Sequence, residues 1–138
     1  MGNSNAFFEV QDILEMNFDK KYDLITAFDA IHDQPDPYSV LRSIHNSLDD
    51  KGTFLMQDIL ASTPLKDNIG HPLGPFLYTI SCIHCVSVSL SQNGAGLGAM
   101  WGKEKATEML KDVGFTNVEV KKLPHDFQNY CYIGYKKK

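Results

Sequence analysis

The spacing of apolar and polar positions divides the chain into alternating strand-like and helix-like stretches. Phe7 to Val10 (FFEV) is a short apolar run ending at Gln11-Asp12, and it predicts a buried strand. Tyr22 to Phe28 (YDLITAF) is almost continuously apolar and ends at Asp29, the pattern of a central parallel strand covered on both faces. Asp36-Pro37 then offers a helix cap followed by a proline in the first turn. Tyr38, Val40, Leu41, Ile44 and Leu48 recur at helical spacing behind it. Asp49-Asp50-Lys51-Gly52 reads as a turn, and Thr53 to Gln57 as the next strand, ending at Asp58. Strand, helix and strand with short links form a right-handed crossover unit and imply a parallel sheet.

Further along, Ala61 to Gly74 is loop-like, and Phe76 to Leu90 fits a helix better than a strand. Ser91 to Gly102 is rich in glycine. Lys103 to Val113 is an amphipathic helix, with Gly114 placed for a left-handed cap and Phe115 as its hydrophobic partner. Asn117 to Lys121 alternates as a half-exposed strand does. Asn129 to Tyr135 is a last strand that returns antiparallel. No repeat or low-complexity linker interrupts residues 1–138, which read as a single domain.

Composition narrows the class. Hydrophobic residues make up 43% of 138 and charged residues 22%, a globular balance. The net charge of −4 and a pI near 5.6 give no bulk attraction to nucleic acid. Lys136-Lys137-Lys138 reads as a solvated tail. Three cysteines cannot all pair, which points to a reducing, cytoplasmic setting. Pro75 to Leu90 is too polar and too short to span a membrane. The start lacks the apolar core of a signal peptide. The expected partners are a small-molecule substrate, without nucleic acid or membrane.

The candidate chemistry gathers where strands end, because ligands of an open parallel sheet bind beyond the carboxyl ends of its strands. Three predicted strands end in an acid: Asp12, Asp29 and Asp58. Taken singly, each is explained by a turn or a cap; together they suggest a site. His32 and Asp33 follow the second strand, where a histidine can act as a general base or merely hydrogen-bond a turn. Cys82, His84 and Cys85 have no supporting ligand pair elsewhere, and buried core cysteines explain them better than a metal. Gly94 to Gly98 lacks the strand–turn–helix setting of a phosphate loop. It reads as a hinge or lid, with Met100 and Trp101 as its apolar anchors.

The stretch YDLITAFDAIHDQPDPYSVLRSIHNSLDDKGTFLMQD, from Tyr22 to Asp58, resembles the second half of the class I S-adenosylmethionine-dependent methyltransferase fold: its fourth strand, the following loop, the next helix and the fifth strand. The segments HPLGPFLYTISCIHCVSVSL, GLGAMWG and KATEMLKDVGFTNVEV resemble a small-molecule subgroup. The resemblance runs from about Phe7 to Tyr135. It implies an α/β three-layer sandwich with a mostly parallel sheet and an antiparallel last strand, a truncated Rossmann-like methyltransferase fold. It implies S-adenosylmethionine as cofactor. Asp12 and Ile13 resemble residues that meet the adenine, and Phe28 and Asp29 those near the methionine part. Ile31 and His32 resemble residues that lie close to cofactor or substrate. His32 and Asp58 would serve catalysis on the acceptor side.

The family's opening strand, glycine-rich turn and second acid-tipped strand have no counterpart before Phe7. The chain alone is therefore expected to bind the cofactor weakly and to be inactive or weak. In the family order 3-2-1-4-5-7-6, the strand at Phe7 is third and that at Tyr22 fourth, so the Tyr22 strand would carry an open apolar edge. Either the Phe7 strand moves in beside it, or a second chain covers it, as a homodimer or by pairing with a full-length relative. The competing readings are part of a methyltransferase, a non-catalytic module that associates through that edge, and a flavodoxin-like domain. The last lacks a phosphate loop at Gln11 to Leu14.

Overall fold

The computed structural model describes residues 5–15 and 21–137. Its sheet contains β1 (Tyr22–Phe28), β2 (Leu48–Ile59), β3 (Asn117–Lys121) and β4 (Asn129–Tyr135), in the order β1-β2-β4-β3. β1 and β2 are parallel, and β4 is antiparallel to both of its neighbours. Three strands therefore run one way and the last runs against them, the α/β arrangement that the pattern predicts.

Helix α1 (Pro37–Ser47) links β1 to β2. Its N-terminus is capped by Asp36, whose carboxylate accepts from the Ser39 amide at 3.0 Å and the Ser39 hydroxyl at 2.6 Å. Those bonds hold the Asp36 carboxyl below the usual carboxylate range. Asp36→Ala should cost about 1 kcal/mol, read as a lower urea midpoint at neutral pH. The difference should shrink as pH falls through the Asp36 pKa, because a depressed carboxyl stabilises the fold only while ionised.

The turn expected at Asp49–Gly52 is instead a bulge inside a longer strand. Tyr22 pairs with Leu48 but Leu24 with Thr53, so the intervening β2 residues loop out of register. The lysine tail supports this bulge rather than standing free. Lys136 Nζ donates to the Leu48 carbonyl at 2.7 Å, and Lys137 reaches Asp50 at 2.8 Å.

Helix α3 (Gly102–Asp112) ends as predicted. Gly114 has φ +115°, and the Phe115 amide donates back to the Leu110 carbonyl. Phe115 then stacks on Phe54, with ring centroids 5.8 Å apart. Leu41 and Ile44 of α1, Met109 and Leu110 of α3, and Phe54 and Met56 of β2 belong to one buried cluster. Both helices that pack on the sheet thus lie on one face. The register places Leu24, Phe28, Leu55 and Ile133 on the other face. There Leu24 and Phe28 are 55% and 58% exposed. Of three expected layers, the described residues fill two.

The buried strand expected at Phe7–Val10 does not form. Phe7, Phe8 and Val10 are fully solvated, and no strand of the described residues lies beside them. A lone extended segment has nothing to satisfy its backbone donors and acceptors, so its apolar side chains cannot hold it in a core. β1 accordingly remains an edge strand, and the first of the two expected ways of covering it does not occur.

Helix α2 (Gly74–Ser91) has 18 residues and a mean hydropathy of 1.2, which reaches the lower limit for a membrane span, contrary to the expectation of too short a run. Its Leu77, Ser81, Cys85 and Ser89 form a buried stripe at four-residue spacing, while Phe76 and Ile83 face outward. The middle of α2, Ser81–Val86, is a wider π turn. It seats Cys85 against Ile59, Ala61 and Met100 at the end of β2.

Candidate active site

The parallel pairing of β1 and β2 brings their carboxyl ends together. Phe28 is in register with Gln57, so Asp29 and Asp58 are the next residues on adjacent strands. Asp29 leaves β1 with φ +52°, a conformation that Asp tolerates better than most residues. This abrupt exit turns the chain so that His32 comes back over the strand ends. His32 Nδ1 lies 2.9 Å and 3.2 Å from the two oxygens of Asp58, and 3.9 Å from Asp29 Oδ1. Asp58 is wholly buried and His32 is 3% exposed. A buried carboxylate only accepts, so Nδ1 carries a proton and donates to Asp58. Asp58 Oδ1 also accepts from the Ile59 amide at 2.8 Å.

The second ring nitrogen lies beside another acid. His32 Nε2 lies 3.3 Å from Asp33 Oδ1, which makes no aligned hydrogen bond among the described residues. Burial works to lower the pKa of His32, but the hydrogen bond and charge of Asp58, aided by Asp33 and Asp29, outweigh it and raise the pKa above the ordinary histidine value. The Asp29 carboxyl is also raised, first by burial and then by the like charge of Asp58. A histidine with one nitrogen fixed by a buried acid and the other 3.3 Å from a second carboxylate has the arrangement in which an imidazole can exchange a proton.

The other candidates divide. Phe28 sits at the end of β1 with its ring exposed on the second face of the sheet. Ile31 is 1% exposed and belongs to the main core. Asp12 is exposed and accepts from the Leu14 amide at 2.9 Å, starting the short turn Ile13–Glu15. It is not among the charges that act on Asp29 or His32. Ile13 lines an apolar groove of about 300 Å³ between β1 and α1. The expected rim of three acids is therefore a pair, because the strand that would have carried Asp12 is absent.

Cys85 is buried and Cys82 exposed, so the Cys-x-His-Cys cluster does not converge. The glycine segment is fastened rather than free: the Ala95 amide donates to the Pro35 carbonyl at 2.8 Å, and the Ala99 amide to Ser81 Oγ at 3.0 Å. Met100 and Trp101 are its buried anchors. Two groups near the site were not placed there by the sequence, which marked Cys85 only as a buried core cysteine. Cys85 reaches Asp33, and Tyr132 is buried on β4, with the charge of Asp58 helping burial to raise its hydroxyl pKa. Neither spacing nor residue type announces these long-range approaches.

A model of the methyltransferase domain family matches residues 1–114. The chain belongs to that family. No curated protein sequence matches it. Among solved structures, an O-methyltransferase-like protein from Nostoc punctiforme superposes with TM-score 0.67 at 21% identity, covering 90% of this chain and 34% of its own. PigF, solved with SAH, gives TM-score 0.67 at 20% identity, with 91% and 33% covered. Human N-acetylserotonin methyltransferase, solved with SAM, gives 0.63 at 17% identity, with 98% and 36% covered. At such identities the likeness speaks for the fold. The chain spans about a third of the length of these neighbours.

This methyltransferase domain retains the strand order of the second half of the expected sheet, with β1, β2, β4 and β3 in the places of strands four, five, seven and six. His32 and Asp58 are brought together at the strand ends. Of the residues expected near S-adenosylmethionine, Asp12 is exposed in the turn before Ile13–Glu15, Ile31 is in the core, and Phe28 is exposed at the end of β1.

Proposed function

We propose that this chain contributes the acceptor side of an S-adenosylmethionine-dependent methyltransferase that acts on a small molecule, with His32 as the base and Asp58 as the residue that orients it. The observation that carries this reading is the 2.9 Å contact of His32 Nδ1 with the fully buried Asp58, at the carboxyl ends of two parallel strands. The cofactor, when bound, supplies an activated methyl group. The part of the chain is to exclude water, orient the acceptor and accept its proton at Nε2.

A second reading is favoured by the edge position of β1 in the sheet of the described residues and by the apolar face beside it, where Leu24 and Phe28 are exposed. It makes the chain a non-catalytic module that associates through this edge, with itself or with a longer relative.

Calorimetry with S-adenosylmethionine and S-adenosylhomocysteine, with light scattering on the same samples, separates the two. Dimers that give no binding heat support the module. Micromolar binding supports the transferase. In any preparation that binds, His32→Asn should leave cofactor affinity unchanged and slow transfer of labelled methyl groups by about 10²–10⁴-fold. A loss smaller than tenfold removes His32 as the base.

A further inference from the structure

We propose that Cys85 is a positioning residue of this site: its thiol holds the Asp33 carboxylate across Nε2 of His32, so that the approach to the base is set by helix α2. The inference rests on the reading of His32 as the base. Ligand atoms of His32, Asp33 and Cys85 all lie within 4.8 Å of one another. Asp33 Oδ1 stands 3.3 Å from Nε2, on the side from which an acceptor's proton must arrive. Cys85 is 4% exposed, and its Sγ lies within 4.8 Å of an Asp33 carboxylate oxygen, near enough for the thiol to turn toward it. Burial, then Asp33, pushes the thiol up to about 11, so it remains protonated at neutral pH and has a proton to donate.

The backbone around Cys85 is shaped for this contact. On a regular helix Cys82 and Cys85 share a face, three residues apart. The wide turn Ser81–Val86 splits them, leaving Cys82 in solvent and turning Cys85 to the strand ends. Such turns recur at functional sites because they re-aim one side chain at the expense of regular hydrogen bonding. One turn before Cys85, Ser81 Oγ accepts from the Ala99 amide. Gly98, at φ +73°, has no room for a Cβ against Ser81 and Val86. The glycine segment thus clamps the widened turn, and through Cys85 the clamp reaches Asp33.

The titratable groups around His32 are Asp29 and Asp33 on its own loop, Asp58 on β2 and Cys85 on α2, with Tyr132 of β4 beyond Asp58. Asp33 raises the pKa of His32 through its charge. Loss of the thiol donor frees that carboxylate to turn to solvent, which must lower the His32 pKa. The test is an NMR pH titration of His32 in the whole chain without cofactor. Cys85→Ala should lower the midpoint by about half a pH unit, the scale of one partly screened charge. Cys85→Ser keeps a donor and should stay within the error of the unaltered chain.

An unchanged midpoint in a folded Cys85→Ala protein, or an equal fall in Cys85→Ser, overturns the proposal. If Cys85→Ala does not fold, Asp33→Asn decides. It should lower both the His32 midpoint and the Cys85 thiol titration, and a thiol that still titrates near 11 shows that no such contact exists. Labelled methyl transfer judges the base and this titration judges the positioning, so either can fail alone.

Discussion

Asp58→Ala should destabilise the fold by about 3 kcal/mol, the lower end of the range for breaking a buried ionic pair. The lower end applies because the orphaned partner is a histidine, which can shed its proton instead of remaining a buried charge. The Ile59 amide also loses its acceptor. Asp58→Asn separates the contributions: an amide oxygen can still accept from Nδ1, but the charge is gone. Urea unfolding across pH reads both. The folded pKa of His32 is raised, so the folded chain binds its proton more tightly than the unfolded chain does. That stabilisation is complete below the unfolded value of about 6.5 and is lost as pH rises through the folded value.

The slope of stability against pH above about 6.5 should therefore flatten in both Asp58 variants. Asp29, also raised, contributes with the same sign but in a lower window, starting near its unfolded value of about 3.9. The His32 and Asp29 contributions are thus distinguishable by the pH at which each effect fades. A loss under 1 kcal/mol in Asp58→Ala would mean that the pair does not hold the site together.

Gly102→Ala should be comparably severe, at about 3 kcal/mol or more. Gly102 has φ +82°, where a side chain is strained by roughly 1–3 kcal/mol. A Cβ there would also run into the backbone of Ser62 and Thr63, which adds an overpacking cost of about 1–3 kcal/mol. Backbone cannot move aside as the tip of a flexible side chain can. The clash falls where α3 is clasped: the Thr63 amide donates to Glu104 at 2.7 Å, Ser62 Oγ donates to Glu104 at 3.0 Å, and Thr63 Oγ1 donates to the Trp101 carbonyl at 2.8 Å. Gly70→Ala is the control. A Cβ there meets nothing within 4 Å, and the change should stay within about 0.5 kcal/mol. Equal urea midpoints for the two variants would show that the clasp does not depend on a close approach at Gly102.

Local rules made much of this chain legible. The cap at Asp36, the spacing of Val40, Leu41 and Ile44, and the glycine stop at Gly114 are settled by neighbours within one or two helical turns, so the pattern alone locates α1 and α3. The continuous apolar run of Tyr22–Phe28 likewise announces a parallel strand, and its acidic end points to the site. The same rules fail where pairing is non-local. Phe7–Val10 has the composition of a strand, but composition cannot supply the neighbouring strand it needs, and the segment stays in solvent. Asp49–Gly52 has turn residues, yet pairing with β1 and the lysines of the tail keeps it within β2.

The site divides along the same line. His32, Asp29 and Asp58 could be nominated from strand ends, because a parallel crossover forces those ends to one side. Only the folded chain set Nδ1 on Asp58 and Nε2 beside Asp33, and only the π turn in α2 delivered Cys85 across more than fifty residues of sequence. Contacts of that range depend on how rigid elements pack, and no short window of sequence contains them.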